Sequence, residues 1–221
     1  MIKVPGTEPG VPAIPRLLAE GVNVNVTLLF SVARYEAVAE AYIEGLKLRA
    51  EAGGDLAGIA SVASFFVSRV DTKVDEIFDQ PALATAAIAN ARAAYESFER
   101  IFRGPDFAEL AAAGARVQRP LWASTSAKNP KYSDVLYVEE LAGPDTVNTM
   151  PESTLDATRE HAVVDDRLSG NGDDARRQLQ QLHSDGIDLD QVTKELETEG
   201  VEKFVASFDA AIQTVAGHIG S

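Results

Sequence analysis

The 221-residue sequence predicts an α/β fold of parallel strands and helices, wound as a barrel and not as a doubly wound sheet. Three observations predict it. Five strand-like segments alternate with helix-like ones, and parallel neighbours need a crossover of about a dozen residues, which the helical segments supply. Within VNVNVTLLF, Asn23, Asn25 and Thr27 share one face while Val22, Val24 and Val26 share the other. A doubly wound sheet covers both faces and reads as nearly continuous apolar sequence. Polar residues gathered on one face instead suit a barrel interior near its catalytic end. Finally, neither GxGxxG nor GxxxxGK[ST] follows any strand, which weakens a nucleotide-binding alternative.

The elements follow in order. IKVP (2–5) is a short strand, and Pro5, Gly6, Pro9 and Gly10 punctuate the loop after it. PAIPRLLAEG (12–21) is helix-like, and VNVNVTLLF (22–30) is the second strand. SVARYEAVAEAYIEGLKLRAEAGG (31–54) has the apolar spacing of a long amphipathic helix and stops at Gly53-Gly54. LAGIASVASFFVS (56–68) reads as a buried strand, leading to RVDTKVDEIFDQ (69–80) and the Ala-rich helix ALATAAIANARAAYESFERIF (82–102). RPLWAST (119–125) is the fourth strand, SDVLYVEELA (133–142) a short helix, and DTVNTM (145–150) the fifth strand before PESTLDATREHA (151–162). From Asp165 the pattern is helical and charged, with a loop at SGNGDD (169–174). There is no internal repeat.

Composition narrows the function. An apolar content of 45% supports a substantial core in one large domain. The net charge of -14 argues against a general nucleic-acid or anionic-membrane surface, so any phosphate must be held locally. With no cysteine there is neither a disulfide framework nor thiolate chemistry. Apolar stretches such as VTLLFSVA fall short of a membrane span, and Pro5, Gly6 and Pro9 stand where a signal peptide would have its apolar core. The expected setting is cytoplasmic.

Lys3 lies between two apolar residues, so strand alternation turns Ile2 and Val4 outward and Lys3 inward. Apolar walls lower a lysine's pKa, and the neutral amine can then attack a ketone to form an imine, an electron sink for carbon–carbon cleavage. One lysine is weak evidence, since most are solvated. The order of segments is stronger: IKVPGTEPG, NVNVTLLFS, SFFVSRVD, LWASTSAKNPKYSD and DTVNTMP together resemble the transaldolase family, in its bacterial form with an extended carboxyl end. The resemblance is clear from Lys3 to PESTLDA and looser beyond.

That resemblance implies a (β/α)8 barrel in which Lys3 forms a Schiff base with a ketose. It implies that Asn25 hydrogen-bonds substrate hydroxyls and that Thr27 positions a proton-relaying water. Ser64, Phe66 and Arg69 are implied as wall and phosphate grip, with Ser124 at the next strand end, also near the phosphate. One departure stands at Ser126, where many relatives carry a second arginine; Lys128 is the substitute cation, though it lacks an arginine's fork. The implied reaction transfers a dihydroxyacetone unit from sedoheptulose 7-phosphate to glyceraldehyde 3-phosphate, in the pentose phosphate pathway. It needs no cofactor and no metal. Its partners are sugar phosphates.

In the family the lysine lies on the fourth barrel strand, and here it is residue 3. The expectation is therefore a truncated chain holding strands four to eight: residues 1–164 as five βα units and 165–221 as a helical segment packed on them. The aspartate and glutamate that move protons in relatives would be absent, a loss of about 10²–10⁴-fold in rate. Open edges would then favour poor solubility or association. The alternatives are an inactive fragment and a fructose-6-phosphate-type aldolase.

The same residues also fit other roles. Asn25 and Thr27 also fit the polar stripe of a half-exposed antiparallel strand. Arg69 also fits a helix cap or a partner for Asp71 or Asp75, and Lys128 a solvated cation. His161, His183 and His218 have no metal-ligand spacing and read as surface residues. Trp122, Tyr35, Tyr42 and Phe98 read as core.

Overall fold

Strands β1 (Ile2–Pro5), β2 (Val24–Leu29), β3 (Ser61–Phe66), β4 (Arg119–Ala123) and β5 (Val147–Asn148) form one sheet in the order β1-β2-β3-β4-β5. Every pairing is parallel. Each crossover steps to the next neighbour in the same direction, which is the winding of a barrel wall; a doubly wound sheet reverses strand order partway. The computed structural model describes residues 1–78 and 85–219.

The crossovers contain α1 (Ala13–Ala19), α2 (Val32–Glu51), α3 (Ser68–Phe78), α4 (Thr85–Phe102), α5 (Pro105–Ala112) and α6 (Leu136–Glu140). After β5 come α7 (Glu152–His161), α8 (Gly172–Ser184) and α9 (Leu189–Ile219). RVDTKVDEIFDQ is helical through Phe78; Asp79, Gln80 and the expected first turn at Ala82–Ala84 lie outside the described residues. Helix α5 went unread in the sequence, although Gly104 at its N-cap and Pro105 in its first turn mark its start. The long segments expected as third and fifth strands shorten to Ser61–Phe66 and Val147–Asn148.

Local chemistry sets several joints. Ser31 caps α2 by accepting from the Arg34 N–H at 3.2 Å. Gly45 lets α2 lie directly on α1, because a Cβ there would stand 2.8 Å from Leu18 Cβ and 2.9 Å from Pro15 Cα. One sheet face carries the main core: Val4, Val24, Val26, Ala63, Phe65 and Trp122 join Ile14, Leu18, Tyr35, Tyr42, Tyr95 and Phe98 from the helices. Trp122 meets Phe65 edge-on, with centroids 6.1 Å apart. A separate small cluster of Val62, Leu121 and Ala123, with Phe66 and Val147 against it, forms elsewhere. By alternation along β3 and β4 its strand residues face away from Phe65 and Trp122, on the face that Asn25 and Ser64 share.

Of the two residues that alternation turns outward on β1, Val4 is buried while Ile2 is 54% exposed. β1 has a sheet neighbour on one side alone among the described residues, so less of its surface is covered.

Helix α8 sets Ala175 against Ala89 and Ala93 of α4. The first half of α9 is fastened by Lys73, whose ammonium lies 3.1 Å from both Glu195 and Glu199, and by Arg34, 3.4 Å from Glu197. Gly200 crosses Leu28 so closely that a Cβ would stand 2.9 Å from its Cδ2. From Val201 to His218 every residue is exposed, and Val201, Phe204, Val205, Phe208, Ile212 and Val215 form an apolar stripe at helical spacing. No helix among the described residues is long and apolar enough to cross a membrane.

Candidate active site

Lys3 stands beside Asn25 in the β1–β2 register, and on the next strand the Ser64 hydroxyl donates to Asn25 Oδ1 at 2.7 Å. The neighbouring pair Val4 and Val26 is buried in the main core, so Lys3 and Asn25 share the opposite face. Three adjacent strands thus present an amine, an amide and a hydroxyl together. Burial is where the expectation fails: Lys3 is exposed and not walled in by hydrocarbon. Its strand lies at the sheet edge, so side chains cover it from one flank.

Thr27 is 1% exposed, and its hydroxyl has no hydrogen-bond partner among the described residues. A buried hydroxyl left in that state costs about 1–3 kcal/mol. The residue after it, Leu28, has φ 61°, and β2 shifts register between Val26 and Leu29. Ser124, just past the end of β4, has φ 58°. Its carbonyl accepts from the Ser68 N–H at 2.9 Å, and the two hydroxyls are 2.9 Å apart. Non-glycine residues in this left-handed region concentrate at functional sites, where surrounding contacts hold them.

Phe66 is partly buried and packs on Phe30 with centroids 5.2 Å apart. The Arg69 guanidinium lies 5.2 Å from the Phe66 ring centroid. A cation held over a ring in this way keeps N–H groups for a fork onto an anion. The Asp71 carboxylate is not its partner: it accepts from the Tyr137 hydroxyl at 2.7 Å and the Ala87 N–H at 2.8 Å. Lys128 is exposed, and its ammonium donates to the Ser126 hydroxyl at 2.8 Å. A positive charge therefore reaches the position where the sequence lacks an arginine.

Asp71 and Asp75, which the sequence offers only as ion-pair partners for Arg69, instead bond to residues after β4. Asp71 is 1% exposed, and burial pushes its carboxyl up to about 6. Hydrogen bonds from Ala87 and Tyr137 oppose that rise, and the nearby Asp75 adds to it. Burial, with the adjacent Asp71, raises Tyr137 well above the ordinary phenol range. Asp75 binds Asn129 and Tyr132, both on the segment between β4 and α6. The signal was present as S-x-x-D-x-x-x-D from Ser68 to Asp75, a spacing that places three polar groups on one helix face.

Elsewhere, a cleft of about 400 Å³ is lined by residues including Ser31, Asn90, His183 and Thr193, and none of the sheet residues above borders it. His161 is exposed and pairs with Asp134 at 2.9 Å, while His183 and His218 are also exposed. Trp122, Tyr35, Tyr42 and Phe98 are fully buried, as their sequence pattern suggested.

A family model described as transaldolase/fructose-6-phosphate aldolase matches residues 1–215. The transaldolase of Mycolicibacterium paratuberculosis is 52% identical over 229 residues, covering 100% of this chain and 61% of the relative. That of Saccharopolyspora erythraea is 53% identical, covering 97% of this chain and 60% of the relative. For Acidothermus cellulolyticus the figures are 56% identity, 94% and 58%. The chain spans about three fifths of the length of these curated relatives.

Proposed function

The chain belongs to the transaldolase/fructose-6-phosphate aldolase family, and from that premise we propose that its sheet face performs lysine-imine transfer of a dihydroxyacetone unit between sugar phosphates. The observation that carries this reading is that Lys3, Asn25 and Ser64 share one face of three adjacent strands, with Lys3 opposite Asn25 and Ser64 bonded to it. On this reading β1–β5 are strands four to eight of an eight-stranded barrel, and the helices after Asp165 pack on it.

Lys3 attacks the ketone carbon of sedoheptulose 7-phosphate, and loss of water leaves the protonated imine. The hydroxyl on the second carbon beyond the imine gives up its proton to water held by Thr27, whose buried hydroxyl lacks a protein partner among the described residues. The carbon–carbon bond breaks toward the imine, and erythrose 4-phosphate leaves. The three-carbon enamine stays on Lys3 until it attacks glyceraldehyde 3-phosphate, and hydrolysis then releases fructose 6-phosphate. Asn25 and Ser64 orient hydroxyl groups, while Phe66 forms the wall that steadies Arg69. Arg69, Ser124 and Lys128 take the phosphate. Sugar phosphates as partners and a cytoplasmic setting belong to the same proposal.

The exposure of Lys3 favours a second reading, in which the chain alone is silent until its inner face is covered by association through the open sheet edges. An assay with fructose 6-phosphate, with and without erythrose 4-phosphate, separates the cases. Glyceraldehyde 3-phosphate that exceeds one equivalent per chain only when the acceptor is present supports transfer. Free dihydroxyacetone without the acceptor supports a simple aldolase. No product in either arm supports the silent reading.

A further inference from the structure

Ser68, Asp71 and Asp75 stand at i, i+3 and i+7 on α3 and share one side of that helix. Together they grip the segment between β4 and α6 and the first turn of α6 itself. Ser68 holds its start at Ser124, and Asp71 holds the first turn of α6 through Tyr137. Asp75 holds the middle: its Oδ2 accepts from Asn129 Nδ2 at 3.2 Å, and the Tyr132 hydroxyl lies 3.2 and 3.1 Å from its two oxygens. Asn129 in turn closes the chain around itself, its Oδ1 accepting from the Lys131 N–H at 3.0 Å and its carbonyl from the Tyr132 N–H at 3.0 Å.

Ser126 and Lys128 lie between the first two fastenings, and Lys128 is the residue directly before Asn129. Arg69 sits on the gripping helix itself, one residue after Ser68. One helix therefore sets the positions of both cations. Resting on the phosphate-binding reading above, we propose that Asp75 is a positioning residue for the anion subsite: through Asn129 and Tyr132 it holds the Ser126–Lys128 turn so that a phosphate monoester meets Arg69 and Lys128 already in place. A turn ordered in advance spares the ligand the entropy of ordering it, which is a gain in affinity without a new contact.

The test uses the full chain with inorganic phosphate as probe, measured by titration calorimetry at pH 7.5. Asp75→Ala is expected to weaken phosphate binding about tenfold, and Tyr132→Phe to weaken it by part of that. The double variant is expected to bind no more weakly than Asp75→Ala, since both changes break one fastening. Asp75→Asn recovers much of the loss because its amide oxygen still accepts. Amide exchange between Ser126 and Tyr132 rises in Asp75→Ala while that of β3 stays unchanged. Parent-like phosphate affinity in Asp75→Ala, or additive losses in the double variant, overturns the role of Asp75 and leaves the anion subsite standing. A parent that binds no phosphate overturns both. If Asp75→Ala does not fold, Tyr132→Phe decides alone: weakened binding supports the proposal and parent-like binding overturns it.

Discussion

Replacing Asp71 with asparagine should stabilise the protein at neutral pH, although it removes a charge that accepts two good hydrogen bonds. The carboxyl ordinarily titrates near 3.8, and burial holds it at about 6 in the fold. Its proton is therefore bound more tightly in the folded chain than in the unfolded one. The contribution is fully present below 3.8 and is lost as pH rises through about 6. The size of the rise corresponds to about 3 kcal/mol at pH 7.5. Asparagine is neutral throughout and mimics the protonated carboxyl: its Oδ1 accepts from the Ala87 N–H, and its amide donates to the Tyr137 oxygen, whose own O–H loses Asp71 as acceptor in the variant as it does beside the protonated acid. Urea unfolding of parent and Asp71→Asn at several pH values from 4 to 7.5 gives a difference that cancels the other carboxylates. The difference should be near zero at pH 4 and grow to as much as about 3 kcal/mol in favour of the variant by pH 7.5. A flat difference, or a variant less stable at pH 7.5, would refute the claim that burial dominates at this carboxyl.

Other outcomes follow from single contacts. Gly45→Ala places a methyl 2.8 Å from Leu18 Cβ, and the overpacking should outweigh the better helix propensity, lowering stability by about 1–2 kcal/mol in urea titration. Ser126→Arg adds a guanidinium fork beside Lys128 and should tighten phosphate binding about tenfold by calorimetry. Phe208 is 66% exposed at the middle of the α9 stripe, so Phe208→Ser should shift unfolding stability by no more than about 0.5 kcal/mol in urea titration.

The strand faces were legible because a period of two is written directly into residues 22–27: Val24 and Val26 enter the core, and Asn25 turns to Ser64. Parallel winding was legible from the helical segments between strands. The exposure of Lys3 was not, since alternation assigns a face but cover depends on what packs across it. The grip of α3 was missed for a related reason. Asp71 meets Tyr137 across 66 residues of sequence and Asp75 meets Tyr132 across 57, so the local pattern showed a polar helix face and not its partner. The αL turns at Leu28 and Ser124 carry no glycine to announce them, because tertiary contacts hold them.

Borohydride reduction in the presence of fructose 6-phosphate, followed by peptide mass spectrometry, bears most directly on the amine of Lys3. A reduced sugar-phosphate or dihydroxyacetone adduct on the amino-terminal peptide at Lys3, absent in Lys3→Arg, is the result expected. Contradiction would come from a native chain whose Lys3 stays unmodified, or from an adduct that settles on another lysine.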